Sequence, residues 1–395
     1  MPNRSLQYAT IFLTIFIDVL GFGIVIPVLP LYAQHFGATA WEIGWLVGIF
    51  SMAQFFFAPV WGKISDRIGR KPVLLIGLIG TIAGYLLMGF AGALWVLFVA
   101  RLIDGIAGAN ISAAQAYMAD ISSAENRARA MGLIGAAFGL GFVFGPALGG
   151  WASVAINYSA PMFIAAGLAV LNFFFVVFFL PESRVPGASL PRVEPLFPNL
   201  LSHVSRRIYL SSVGSYFLVI FGFSMMTAIF ALVLFHRFGL DAMHTGYLFA
   251  GIGLIGAFIQ GGLIGRLVKR FGEARLATLG ALFMGAGLAA LACSPDIRWL
   301  LISSAAVGIG NSLLMPTLSA IASRSAEAEW QGRALGVLQS SGSLARWLGP
   351  LLAGGLLSWQ LGADRGSYAF APLIAAAAVL GLAAVFTLRL SGKPE

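Results

Sequence analysis

Asp18, Arg101, Asp104 and Arg346 lie inside long apolar stretches of a 395-residue chain that carries only 24 Lys or Arg and 15 Asp or Glu. A charge at the centre of a bilayer costs about 2.5–3.5 kcal/mol on insertion scales, so such residues pair or face water, and they mark ion and proton pathways. Arg101 and Asp104 are three residues apart on one helix face and can therefore interact or share a partner. Asp18 and Asp104 are the candidate proton carriers. Arg101 and Arg346 would supply compensating charge, with proton and substrate competing for the network. A buried ion pair that merely positions helices is the plainer reading of the same residues.

The elements that must hold these side chains are membrane helices. Charged residues make up 10% of the chain and apolar residues 59%, against about 25% charged in a soluble domain, which excludes an ordinary soluble enzyme. Each span needs about 20 apolar residues. Charge-free runs and polar turns predict an all-α membrane protein of twelve transmembrane helices, near 7–33, 42–62, 72–90, 94–117, 130–153, 161–180, 208–235, 244–267, 275–293, 297–321, 332–358 and 368–389. The proline-rich stretch from Pro181 to Arg207 divides the chain into a six-helix half (1–180), a linker (181–207) and a second half (208–395).

Charge sets the orientation. Alternation puts Arg4, Lys63, Arg67, Arg70, Lys71, Arg127, Arg129, Arg184, Arg192, Arg206, Arg207, Arg266, Lys269, Arg270, Arg275, Arg324, Arg333, Arg389 and Lys393 on one side, and only Arg237, Arg298 and Arg365 on the other. By the positive-inside rule both termini are expected in the cytoplasm. The net charge of +9 thus records topology and is no sign of nucleic acid. A single cysteine, Cys293, and the dispersed His35, His203, His236 and His244 offer neither a disulfide framework nor a metal site. With no nucleotide-binding or catalytic motif either, the expectation is a non-enzyme without cofactor, driven by a proton gradient.

The halves echo each other. Gly62-Lys-Ile-Ser-Asp66-Arg67-Ile-Gly69 answers Gly265-Arg-Leu-Val-Lys-Arg-Phe-Gly272 at an offset of 203, while Glu125, Arg129, Gly132, Gly145-Pro146 and Gly150 match Glu329, Arg333, Gly336, Gly349-Pro350 and Gly354 at 204. Two matches at nearly one offset argue for duplication, giving pseudo-symmetric halves with the substrate path at their interface.

Two motifs add chemistry. In the hairpin after span two, Gly62, Asp66, Arg67, Gly69, Arg70, Lys71 and Pro72 combine turn-forming glycines, a proline suited to a first helical turn and a carboxylate among cations. A plain basic loop explains the cations but neither Asp66 nor the glycine spacing. In span five, Gly141, Gly145, Pro146, Gly149 and Gly150 allow close helix approach and a proline bend.

These motifs resemble the signatures of the major facilitator superfamily. The hairpin is similar to that family's Gly-x-x-x-Asp-Arg-x-Gly-Arg-Lys loop, and span five to its antiporter motif. Asp18-Val-Leu-Gly21 through Pro30 in span one and Arg101-Leu-Ile-Asp104-Gly105 in span four extend the likeness, which is closest to proton-coupled tetracycline and multidrug exporters. The resemblance implies alternating access, with the hairpin locking and releasing the halves. It also implies a bacterial inner membrane, a chain functional as a monomer, and protons, lipid and an amphipathic small molecule as partners. The chain departs from those exporters in lacking an acid in span nine and in carrying Asp104 where a neutral residue is usual.

Amides within spans need partners, so Gln54, Asn110, Gln260, Asn311 and Gln339 are the candidate cavity residues for an amphipathic ligand. The expected function is efflux by proton antiport. The alternatives are a proton-coupled metabolite transporter, in which Arg346 would bind a carboxylate, and a lipid flippase of the same fold.

Overall fold

The structure, a computed structural model, describes residues 4–108, 110–122, 127–183, 200–327, 329–363 and 368–391. Apart from one isolated bridge pairing Val204 with Ala326, the described residues form helices and short connections. In hydrocarbon every backbone N–H and C=O must find a partner within the protein, and an α-helix supplies those partners within a single segment.

The helices are α1 (Arg4–Val25), α2 (Leu29–His35), α3 (Ala40–Ile68), α4 (Arg70–Gly89), α5 (Leu94–Ala107), α6 (Asn110–Ile121), α7 (Arg127–Ala155), α8 (Ala160–Phe179), α9 (Arg206–Phe238), α10 (Ala242–Phe258), α11 (Ile264–Phe271), α12 (Glu273–Cys293), α13 (Ile297–Arg324), α14 (Gln331–Gly362) and α15 (Phe370–Leu388). Among the described residues, 10 helices are long and apolar enough to cross a membrane, α10 and α11 counting as one through the π-turn Ile259–Leu263. The other two expected spans are helical as well. Span four is recorded as the shorter helices α5 and α6, and α14 has the length, but Gln339, Ser340, Ser341, Ser343 and Arg346 dilute its apolar character.

Several boundaries differ from the sequence expectation. Span one is not continuous to residue 33: α1 ends at Val25 and α2 resumes at Leu29, because Pro27 and Pro30 lack the N–H that would carry the ladder across. The hairpin near 62–72 is almost entirely helical, the chain turning at Gly69 alone (φ 104°) between α3 and α4. Gly62 is therefore a helical residue with open space beside it, and Gly69 is the turn glycine. Pro72 occupies the first turn of α4, as expected.

The chain forms two compact units: residues 1–38, 49–191 and 240–250, and residues 39–48, 192–239 and 251–395. Each has the same packing plan. In the first, α1 packs on α7 and α8, and α4 on α5 and α8; in the second, α9 packs on α14 and α15, and α12 on α13 and α15. The duplication seen as a sequence offset is thus also a duplication of contacts. The core of the first unit gathers Ile11, Ile15, Val19, Leu74, Leu78, Tyr117, Met118 and Val176, all buried.

Candidate functional site

In the first unit, Arg101 and Asp104 project from α5 and are 3% and 4% exposed, with Arg101 Nη1 3.3 Å from Asp104 Oδ2. The three-residue spacing thus produces the expected pair. The guanidinium also lies 4.4 Å from the centre of the Phe50 ring on α3, a cation–π contact that stabilises a desolvated cation. Phe50 in turn stacks obliquely on Phe22 of α1 at 5.4 Å.

The helix that completes this cluster is α4. Thr81 donates a hydrogen bond to the Asp104 carboxylate. A Cβ on Gly84 would lie 2.9 Å from that of Asp104, so only glycine lets the two helices come this close. One position further, Tyr85 is buried, and its hydroxyl lies 2.7 Å from where a Cβ of Gly21 on α1 would stand. Asp104, Asp18 and Arg101 are the charges that act on that hydroxyl. Asp18 is itself half-buried on α1, so three helices bring both aspartates to one tyrosine.

Thr81 and Tyr85 carry neither the formal charge nor the amide that marks the other polar residues within spans. Their spacing of four, with Gly84 between, was a usable signal: two hydroxyls and a small residue on one face of an otherwise apolar helix. The sequence did not single out Asn172 on α8 either. It is fully buried, its Nδ2 3.5 Å from the carbonyl of Thr14.

Arg346 belongs to the second unit. Its Nη2 donates to Ser343 Oγ at 3.0 Å, and Tyr216 of α9 is the titratable group acting on it. Tyr216 donates to Gln339 Oε1 at 3.1 Å. The cluster around Arg346 is therefore made of hydroxyls and an amide from α9 and α14. Of the other amide candidates, Gln54 donates to the carbonyl of Gly108 at 3.1 Å, Gln260 is exposed on the π-turn, and Asn311 is half-buried on α13. The side chain of Asn110 lies outside the described residues.

The hairpin residues form a dense ionic corner. Arg70, with a side chain 10% exposed, reaches Asp66 at 2.8 Å and Asp120 of α6 at 3.2 Å, and donates to Ser65 at 3.0 Å. The backbone N–H groups of Arg70 and Lys71 donate to Glu182 at 2.8 and 3.0 Å, so a carboxylate beyond α8 satisfies the positive end of α4. Lys71 Nζ donates to the carbonyl of Val177 at 2.8 Å. Asp66 thus bonds across the Gly69 turn, from the end of α3 to Arg70 at the start of α4, and the capping role falls to Glu182.

The corresponding corner of the second unit is charge-inverted. At the repeat offset Asp66 becomes Lys269, Arg70 becomes Glu273 and Asp120 becomes Arg324. Glu273 and Arg324 are ion-paired, and Gly272 turns the chain with φ 77° as Gly69 does. The geometry of the corner is duplicated while its signs are exchanged.

In span five, Gly141, Gly145 and Gly149 lie along α1, a Cβ at Gly145 falling 2.6 Å from the carbonyl oxygen of Leu20. Gly150 sits on the neighbouring face against Ala242 and Met243, within the first unit. The motif is a surface for backbone contact, with Pro146 beside Gly23.

Comparison with known proteins adds independent evidence. The family profile described as Major Facilitator Superfamily matches residues 11–264 and 213–395. The tetracycline resistance protein of class B from Escherichia coli is 33% identical over 346 residues, covering 85% of this chain and 84% of that protein. The quinolone resistance protein NorA of Staphylococcus aureus (strain COL) is 27% identical, covering 89% of each. A bacterial homolog of the human lysosomal transporter Spinster shares the fold at a TM-score of 0.80 with 17% identity, covering 99% of this chain and 97% of that one.

Proposed function

The chain belongs to the major facilitator superfamily, and on that premise we propose that it exports hydrophobic or amphipathic small molecules in exchange for protons. It is a multi-pass membrane transporter of the drug-efflux type and not an enzyme. Antibiotics of the tetracycline or quinolone kind, named in its relatives, are the substrates to try first. The halves 1–180 and 208–395, joined by 181–207, would move during alternating access, both termini lying in the cytoplasm and the monomer sufficing in a bacterial inner membrane.

The observation that carries this reading is the carboxylate of Asp104, buried against Arg101, Thr81 and Tyr85. A buried carboxylate has two stable choices, to pair with a cation or to take a proton. Each choice leaves Arg101 with a different need for a partner, which is how proton binding would be felt by the helices around it. Asp18, acting on the same tyrosine, would be the second carrier. Arg346 with Ser343, Tyr216 and Gln339 would supply a polar wall for substrate, and the Gly69 corner and span-five glycines would serve gating.

The test is transport driven by an imposed pH gradient in vesicles, comparing the native chain with Asp18→Asn and Asp104→Asn. Loss of proton-driven export in either variant is expected. Full coupling in both would overturn the assignment. A growth-inhibition screen in an exporter-deficient strain, with and without a protonophore, identifies the substrate.

A further inference from the structure

We propose that the cleft where the segment before α9 meets the end of α13 binds a phosphoryl anion, supplied by the headgroup of an anionic phospholipid. The inference rests on the orientation proposed above, which places the basic ends of the helices at the cytoplasmic leaflet. The cleft has a volume of about 810 Å³ and is lined by His203, Ser205, Arg206, Arg207, Arg324 and Glu327 among others. Its floor is fixed. Val204 bridges Ala326, Ser205 N donates to the Ser325 carbonyl at 2.7 Å, and Glu327 N donates to the His203 carbonyl at 3.0 Å.

Arg206, Arg207 and Arg324 line this cleft with a single carboxylate, Glu327, and Arg324 is also ion-paired outside the lining. Glu327 Oε2 is 2.9 Å from His203 Nδ1, and Glu273 holds Arg324. A basic loop that only sets topology needs cations anywhere along it; it does not need them gathered around a cleft. The duplicated unit supplies the control. Where α13 ends in Arg324, α6 carries Asp120, which accepts from Arg70 and from Ser183. At the end of this helix the fold therefore accepts an acid as well as an arginine, and its geometry does not demand Arg324. Guanidinium forks match phosphate oxygens, and basic pockets between helices on the cytoplasmic side suit anionic headgroups.

Trp330 is one side chain removed from the cleft, stacked on His203 with ring centres 4.4 Å apart, and serves as a reporter. The experiment titrates full-length, delipidated protein in detergent with short-chain phosphatidylglycerol, short-chain phosphatidylcholine and inorganic phosphate, reading tryptophan fluorescence against a Trp330→Phe background. Phosphatidylglycerol should give a saturable change whose midpoint weakens at least about tenfold in Arg206→Gln, as loss of one charge-assisted contact implies. Arg207→Gln is the second variant, and both are checked for an unchanged elution profile and thermal midpoint. Inorganic phosphate that saturates the same signal and displaces the lipid would keep the anion site and assign it to a soluble phosphate. Equal response to phosphatidylcholine, or midpoints unmoved in both variants, would overturn the proposal. Because no transport is read, failure of the anion site and failure of the exporter reading give different results.

Discussion

Asp104 is held from two helices at once, by Arg101 on its own α5 and by Thr81 on α4, and its charge acts on Tyr85 of α4. Removing one member of such a pair strands the other charge. Arg101→Ala should destabilise the protein by about 3–5 kcal/mol, and the double variant with Asp104→Ala should recover part of that loss, measured by thermal unfolding in detergent. No recovery would mean that Arg101 acts through packing on Phe50 alone. Tyr85→Phe keeps the ring and removes only the hydroxyl facing both aspartates. It should slow proton-driven export and shift the pH profile of transport, because the electrostatic influence of both carboxylates on that hydroxyl is removed. A slowed rate with an unmoved profile would mark Tyr85 as structural.

Asp241, between α9 and α10, titrates outside the spans. Burial raises its pKa, but the N–H and ring of His244 and the N–H of Met243 outweigh this and hold it below the usual carboxylate value. A depressed folded pKa contributes stability above the unfolded value of about 3.9 and loses it as pH falls through the lower folded value. Asp241→Asn should therefore lower the thermal midpoint from neutral pH down to about pH 5, with the difference from the native chain closing below about pH 4.

At the scale of elements, the joint between α3 and α4 depends on a single residue. Gly69 has φ 104°, and a Cβ there would meet the Glu182 carboxylate that caps α4. Gly69→Ala should cost about 1–3 kcal/mol through backbone strain, and more if Glu182 must withdraw. Its counterpart Gly272 has φ 77° but open space around it, so Gly272→Ala should show the strain alone. Sequence spacing made this hairpin visible as a turn with a carboxylate among cations. It did not reveal that Gly62 is helical, or that the cap comes from Glu182, 112 residues after Arg70. Caps from distant chain leave no local pattern.

The two inverted corners differ in depth as well as sign. Arg70 and its counterpart Glu273 have side chains 10% and 14% exposed, but their partners Asp120 and Arg324 are 32% and 68% exposed. Exposed pairs contribute about 0–1 kcal/mol, so a double-mutant cycle on Glu273 and Arg324 should give a coupling in that range. The cycle on Arg70 and Asp120 should exceed it, since charged hydrogen bonds shielded from water are worth about 1.5–3 kcal/mol.

For the whole molecule, the sequence by itself determined the all-helical membrane class and the duplication. Hydrophobic runs and loop cations are local or additive properties, and a bilayer forces runs of that length to be helical. It also picked out the charged residues within spans, because their cost in lipid makes them rare. What the tertiary structure decided is who meets whom: Thr81 at Asp104, Tyr85 within the influence of both aspartates, Tyr216 at Arg346, Glu182 at the start of α4, and a cleft lined by three arginines. Each depends on how one helix is rotated and advanced against another. That register comes from backbone contacts, such as those of Gly84 on Asp104 and Gly145 on Leu20, between residues far apart in the chain.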